Sequence, residues 1–317
     1  MITSNLEKAI VNLNNEDLVA IPTETVYGLA ANAFNEAAVN KIFSLKKRPN
    51  YNPLIVHIKS IDYLNNIADN IPKKALVLAE HFWPGSLTLV LNKKSNIPNS
   101  VTAGKETVAI RVPNHPVTLE LLNRLNFPLA APSANPFGSI SPTTSQHVHT
   151  YFGDKLEVIL EGGPCEKGLE STIIGFENNE PVLYRHGAIA INEIEKVVGT
   201  VGLHTKNDKN PTAPGMLSKH YAPNKEIFLT NNVRELAKNF PDKKIGLILY
   251  KDYSFTNKNW NTVILSKTGD LEEAAKNLYT SLHNLDNSDC DLIIAERFPN
   301  EGLGKTINDR LERAVKK

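Results

Sequence analysis

Along most of the chain, short apolar runs alternate with stretches whose apolar residues recur every three or four positions. This alternation restricts the fold more than any other feature. The runs at 18–21, 54–58, 87–91, 108–112, 129–131, 158–160, 171–174 and 182–184 are too short for helices and predict buried strands. Helical spacing predicts helices over 36–47, 72–82 and 116–125. An opening helix is predicted by Leu6, Ile10 and Leu13 behind a capping box, Ser4-x-x-Glu7. Strands interleaved with helices mean an α/β sheet with helices on its faces.

The alternation breaks once. From 199 to 224 large apolar residues thin out and Gly, Pro, Asn and Lys take over, longer than an ordinary loop within a domain. It resumes with strands predicted at 227–229, 245–250, 263–265 and 292–295, and helices at 233–239, 270–285 and 307–315. The organisation expected is therefore an α/β domain over 1–198, a linker over 199–224, and a small α/β domain over 225–317. No internal repeat is visible.

Composition narrows the function. The 317 residues are 41% hydrophobic and 22% charged, enough for a sizeable core. A formal net charge of +1 gives no general attraction to nucleic acid or an acidic membrane. Cys165 and Cys290, far apart, make neither a disulfide framework nor a zinc site. The start has no cationic, then apolar, signal pattern, and no run approaches the ~18 apolar residues of a membrane span. A cytoplasmic protein without a membrane partner is expected.

Several segments carry polar groups where a strand should be plain. Pro22-Thr23-Glu24-Thr25-Val26-Tyr27-Gly28 sets two hydroxyls, a carboxylate and a phenol just after a strand, the edge where α/β sheets bind ligands. Capping of a following helix by Thr23 or Thr25 competes with that reading. Lys46 and Arg48 stand at alternate positions where a helix ends, able to point into one cleft toward phosphate or carboxylate, although cations also suit a helix C-terminus. His57 and Arg111 each interrupt an apolar strand; a buried guanidinium requires an anion. Ala131-Pro132-Ser133-Ala134-Asn135 and Ser141 offer small residues and hydroxyls after a strand, suited to phosphate oxygens or to an Asx- and Ser-rich turn. Glu170-Ser171-Thr172 and Arg185 complete the set. Gly304-Lys305-Thr306 imitates a P-loop, but Pro299 occupies the position of the first glycine, so it reads as a loop leading into the last helix. With no Ser-His-Asp order and no metal-ligand cluster, chemistry here would depend on positioning and electrostatics.

Taken in order, IPTETVYGLA, the K-x-R of LKKRP, NPLIVHI, FWPGSLTLVL, VAIRVPNHP, APSANPFGSISPTT, GLESTI and YRHGAI resemble the YrdC family. PGMLSKHYAP and GLGKTINDRLERA resemble the signatures of its long form, which has an extra C-terminal domain. The resemblance implies a twisted α/β sheet with a concave, basic cleft, plus a small Rossmann-like C-terminal α/β domain. It implies a nucleotidyltransferase that joins L-threonine, bicarbonate and ATP into L-threonylcarbamoyl-AMP and pyrophosphate. The product would pass to a separate transferase that modifies a tRNA adenosine next to the anticodon, with room for a weak tRNA contact. Carried over by position, Thr25, His57, Arg111, Ala131 and Ser171 would bind threonine, with Arg111 on its carboxylate. Lys46, Arg48, Asn52, Thr107, Ser133, Ser141, Arg185, His220 and Tyr221 would contact ATP, with Lys46, Arg48 and Arg111 serving catalysis. Mg²⁺ would arrive with ATP rather than on protein ligands. The linker would act as a lid that excludes water. Two rivals stand beside this reading. One is the carbamoyltransferase of hydrogenase maturation, whose cysteine-rich fingers are missing here. The other is an RNA-binding protein, disfavoured by the charge balance.

Overall fold

The computed structural model describes residues 1–204, 213, 215–216, 220–253 and 257–315. The first part contains β1 (Ile2–Thr3), α1 (Leu6–Asn14), β2 (Val19–Ile21), β3 (Gly28–Asn32), α2 (Glu36–Lys46), β4 (Ile55–His57) and β5 (Ala68–Asp69). It continues with α3 (Lys73–Phe82), β6 (Leu87–Lys93), α4 (Asn99–Thr102), β7 (Thr107–Arg111), α5 (Pro116–Arg124) and β8 (Leu129–Ala130). Then come α6 (Ser145–Phe152), β9 (Val158–Leu160), β10 (Thr172–Glu177), β11 (Glu180–Arg185), α7 (Ile191–Val198) and β12 (Gly202–Leu203). These strands form one mixed, twelve-stranded sheet among the described residues, in the order β1-β9-β2-β3-β8-β4-β7-β6-β10-β11-β12, with β5 on β6.

The second part holds β13 (Glu226–Thr230), α8 (Val233–Ala237), β14 (Ile245–Leu249), β15 (Trp260–Ile264), α9 (Leu271–Asp286), β16 (Leu292–Glu296) and α10 (Gly302–Val315). Its sheet, β13-β16-β14-β15, is parallel throughout. Helices on such a sheet bury both faces, which is why its strands read as apolar runs.

Strand alternation decides where the site can be. Val56, Ile110, Leu89 and Ile174 point into the main core beneath α2, α3 and α7, with residues such as Val39, Ile42, Leu78 and Ile194. Their sequence neighbours Ile55, Ala109, Val90 and Ile173 face the other way and pack with Ala213 and Met216 of the linker. His57 and Arg111, paired in register across β4 and β7, lie two residues beyond Ile55 and Ala109 and share that second face. A polar residue in an otherwise apolar strand thus marks the face opposite α2, α3 and α7.

The two sheets are not independent. Val26, Ile140, Leu169 and Tyr221 enter one apolar cluster with Leu278, Tyr279, Leu282, Ile293 and Leu311 of the second part. Across the same junction the rings of His147 on α6 and His283 on α9 stack at 3.9 Å. Thr143 N donates to His147 Nδ1, and His283 Nε2 lies 3.1 Å from Ser141 O. Burial pushes His147 down to about 3, helped by His283, and pushes His283 down to about 4. Both rings are therefore neutral when folded, while the unfolded chain takes up protons below about pH 6.5. Their contribution is complete above that pH and is lost as pH falls toward 4. Calorimetry should show Tm falling between pH 7 and pH 4.5, with a shallower fall for the His147→Phe/His283→Phe double variant.

Several expectations are corrected. Asn5, not Ser4, caps α1, its Oδ1 accepting from Lys8 N, because pairing of β1 with β9 carries the chain past Ser4 before the helix can turn. No helix follows Thr23: its Oγ1 accepts from Thr25 N and Val26 N in a tight turn, and β3 follows instead. Gly304-Lys305-Thr306 lies inside α10 rather than in a loop before it, and Thr306 Oγ1 donates to Gly187 O across the junction. The expected linker begins as sheet, since Gly202–Leu203 pairs with β11. Residues 205–212, 214 and 217–219 of that linker, and with them much of the PGMLSKHYAP signature, lie outside the described residues.

Candidate active site

Local folding explains how the cations gather. α2 ends in a left-handed residue, Lys47 (φ +51), so the chain reverses and Lys46 and Arg48 both turn inward. Lys46 Nζ donates to the carbonyls of Ser133 and Asn135. Arg48 donates to the carbonyls of Asn52 (3.1 Å) and Pro53 (2.8 Å). Both side chains are buried, and among the described residues neither has a carboxylate partner. Burial drives Lys46 well below its usual value, with Arg48 adding repulsion. It also brings Arg48 down to about 9, with Arg185 contributing. Carbonyl dipoles hold these cations in place without cancelling their charge, so an incoming polyanion would be the counter-charge.

Arg111 differs. Its guanidinium pairs with Glu24 at 2.5 Å, donates to Thr25 Oγ1 at 2.8 Å and to Gly85 O at 3.0 Å. The anion that a buried guanidinium requires is supplied here by Glu24. Burial by itself would raise the Glu24 carboxyl; Arg111, with the Asn114 N–H, holds it below its ordinary value. Beside Arg111, His57 is buried and its Nδ1 has no partner among the described residues. Burial first, then Arg111, lowers it to about 3, so it is a neutral ring at physiological pH.

Ser171 joins the two halves of the cleft. Its Oγ lies 2.7 Å from Thr88 Oγ1 and 3.2 Å from Arg185 Nη2, which also donates to Ser171 O at 2.8 Å. Gly187, just past the end of β11, lies against this backbone: a Cβ there would fall 2.3 Å from Thr172 N. Glu170 accepts from Ser141 Oγ at 2.6 Å, from Tyr279 OH, and from Arg310 Nε at 2.8 Å, the last two from the second domain. Burial would raise Glu170, but Arg310 and Arg185 hold it low.

The resulting cavity, about 50 Å³, has Thr25, His57, Arg111, Ala131, Ser171, Arg48, Ser133, Arg185, His220 and Tyr221 in its lining. Ten of the residues singled out from sequence therefore meet at one place. Lys46, Asn52 and Ser141 stand behind this lining and reach it through Ser133, Arg48 and Glu170. Among the described residues, both ends of the Asn52 carboxamide are buried without a partner, as are Asn135 Oδ1 and His220 Nδ1. Such groups are rare unless something else satisfies them. Thr107 is not part of the lining: it begins β7, four residues before Arg111 on the same sheet face. Sequence reasoning missed Glu24 and Glu170 as functional partners, although both sat within motifs it had singled out. Their only signal was a carboxylate beside hydroxyls in a segment following or preceding an apolar strand.

Among the described residues there is no group of three or more His, Cys, Asp or Glu side chains placed to hold a metal ion, and no helix long and apolar enough to cross a membrane. Glu24 and Glu170 are engaged by arginines, so the donor set suits a cation that arrives with phosphate ligands of its own rather than one caged by protein.

Comparison with known proteins gives the geometry its context. A family profile described as "Telomere recombination" (Sua5_yciO_yrdC) matches residues 11–187, and one described as "Threonylcarbamoyl-AMP synthase, C-terminal domain" (Sua5_C) matches residues 189–315. The chain is similar to a threonylcarbamoyl-AMP synthase of Pyrococcus abyssi, 42% identical over 94% of this chain and 90% of that one. It is also similar to one of Bacillus subtilis, 39% identical over 98% and 92%. The crystal structure of P. abyssi Sua5 complexed with L-threonine superimposes with a TM-score of 0.91 at 41% identity, covering 98% of this chain and 94% of that one.

Proposed function

The chain belongs to the Sua5–YciO–YrdC family, and from that premise we propose that it joins L-threonine, bicarbonate and ATP into L-threonylcarbamoyl-AMP, releasing pyrophosphate. It is an enzyme of the nucleotidyl-transferring kind, as its relatives named threonylcarbamoyl-AMP synthase are. The observation that carries the reading is one small cavity whose lining includes buried Arg48, a neutral histidine and a paired arginine, with buried Lys46 behind it at Ser133; among the described residues neither Lys46 nor Arg48 has a carboxylate partner.

In this reading the threonine amine and bicarbonate form a carbamate, with loss of water. A carbamate oxygen then attacks the α-phosphorus of ATP, and the bond to the β-phosphate oxygen breaks as pyrophosphate leaves. Thr25, His57, Arg111, Ala131 and Ser171 hold threonine. Neutral His57 can accept a hydrogen bond from the substrate without repelling its amine. Arg111, fixed by Glu24 and Thr25, presents its remaining N–H edge to the carboxylate. Lys46 and Arg48 meet the triphosphate and offset the charge that grows on the departing oxygens, aided by Ser133, Ser141, Asn52 and Arg185. Thr107 extends the nucleotide's side of the sheet face. Mg²⁺ brought by ATP supplies charge neutralisation at the phosphates. Residues 1–198 form the catalytic unit, 225–317 the C-terminal domain, and 199–224 the connection that shields the labile anhydride from water. The product goes to a transferase acting on tRNA in the cytoplasm.

Pyrophosphate release from ATP should require both threonine and bicarbonate, and omission of either should bring it to background. Release that continues without threonine would overturn the proposal in favour of another adenylylating activity.

A further inference from the structure

The last helix of the second domain buries a charge where its pattern calls for an apolar residue. Ile307, Leu311 and Ala314 of α10 enter the apolar cluster at the domain junction, and Arg310 is buried in the same stretch of the helix. A guanidinium so placed requires an anion. Its three nitrogens are all engaged. Nε donates to Glu170 Oε2 at 2.8 Å, Nη2 to His186 O at 2.7 Å and Nη1 to Asp309 Oδ2 at 2.5 Å. Asp309 is shared with Arg313, 3.2 Å away, so its charge has a second partner. Glu170 is the anion that ties Arg310 to the first domain.

Among the described residues, Glu170 is the one carboxylate that lines the cavity holding Arg48, Arg111 and Arg185. An uncompensated carboxylate there would oppose any polyanion, because charges act strongly on one another at short range where water is scarce. The compensation comes from the second domain. Arg310 pairs with Glu170, and Tyr279 OH lies 3.0 Å from each carboxylate oxygen, while Ser141 Oγ donates to Oε1 at 2.6 Å. We propose that Arg310 is a positioning residue for the nucleotide: it acts through Glu170, cancelling the one negative charge in the lining, so that the second domain sets the affinity of the catalytic cleft for ATP. This rests on the synthase reading for the identity of the nucleotide.

Breaking this ion pair from its two ends should move ATP binding in opposite directions, measured by calorimetry on the full-length chain without threonine or bicarbonate. Arg310→Gln leaves Glu170 with its charge, which Arg185 still favours, and Asp309 with Arg313. The dissociation constant for ATP should rise by at least about tenfold. Glu170→Gln keeps an acceptor for Ser141 but removes the negative charge, and should bind ATP about threefold or more tighter than the wild type. The Glu170→Gln/Arg310→Gln double variant should return to within about threefold of the wild type, since neither charge is left. Threonine, a zwitterion without net charge, should shift by less than about threefold in all three. A pair that only holds the domains together would weaken ATP binding in both single variants, with no recovery in the double. That pattern overturns the proposal, as does wild-type affinity in Arg310→Gln. If Arg310→Gln fails to fold, Glu170→Gln decides alone: tighter binding supports the proposal, and equal or weaker binding overturns it. A wild-type chain that does not bind ATP would sink the synthase reading. The same variants titrated with pyrophosphate then decide whether Arg310 sets affinity for a polyanion.

Discussion

Arg111→Ala is expected to reduce threonine- and bicarbonate-dependent pyrophosphate release by at least about 10³-fold, since it removes a preorganised donor and unsettles its neighbours. Arg111 bonds Thr25 at 2.8 Å and pairs with Glu24, so its loss frees the threonine-binding hydroxyl and leaves a carboxylate 4% exposed without its cation. Breaking one partner out of a buried pair costs about 3–5 kcal/mol. Part of the lost activity would then reflect lost fold. Two companions separate the effects. Arg111→Lys keeps the charge but not the planar fork, and should retain most stability with release still down by about 10²-fold. Glu24→Gln keeps the shape and removes the counter-charge, so it should alter the threonine KM more than the ATP KM. Steady-state kinetics beside thermal unfolding of the three variants checks this. A stable, fully active Arg111→Ala protein would remove this arginine from the site.

The second large effect lies where the domains meet. Arg310→Leu should destabilise the chain by about 3–5 kcal/mol, because Glu170 would keep Ser141 and Tyr279 but lose its cation while remaining buried. A change of that size corresponds to a fall in Tm on the order of 10 °C for a domain of 150–250 residues. The Glu170→Leu/Arg310→Leu double variant should lose less than the two single losses added together, because neither charge is then stranded. Additive losses would mean the two side chains do not depend on each other. Calorimetry decides between these outcomes, and it also reports on the second domain. If that domain were only tethered, its helix could be altered without moving the transition of the first.

Much of the architecture is legible because burial on both faces writes itself as apolar runs. β4, β6, β7 and β9 and helices α2, α3 and α5 fall at or within a few residues of where periodicity put them. Elements without that signature escape. β3, Gly-Leu-Ala-Ala-Asn, has no β-branched or aromatic residue to mark it as a strand. α6, Ser-Gln-His-Val-His-Thr-Tyr-Phe, buries only Ser145, Val148 and Phe152 and looks polar. β12 is two exposed residues whose only reason to be strand is the neighbouring β11. β15 starts ahead of the apolar stretch that announced it, since its first residues, Trp260 and Asn261, pair along β14 without being buried.

The candidate site divides along the same line. His57, Arg111, Lys46 and Arg48 were visible from sequence because a polar residue is costly in an apolar strand or at a helix end turned inward, and so calls for a reason. The sequence by itself settled the α/β class, the residues able to carry charge into the cleft, and the family whose motifs they match. Tertiary structure alone decided which charges are spent and which remain open. Arg111 is matched by Glu24 and Arg310 by Glu170, the latter pair 140 residues apart, whereas among the described residues Lys46 and Arg48 meet carbonyls and no carboxylate. It alone also placed Arg310 and Arg313 around Tyr221, turning the C-terminal helix into part of the cleft wall. The reason is physical: propensity and periodicity are set by neighbours along the chain, while Coulomb interactions depend on distance and burial, which exist only after the sheets have closed on one another.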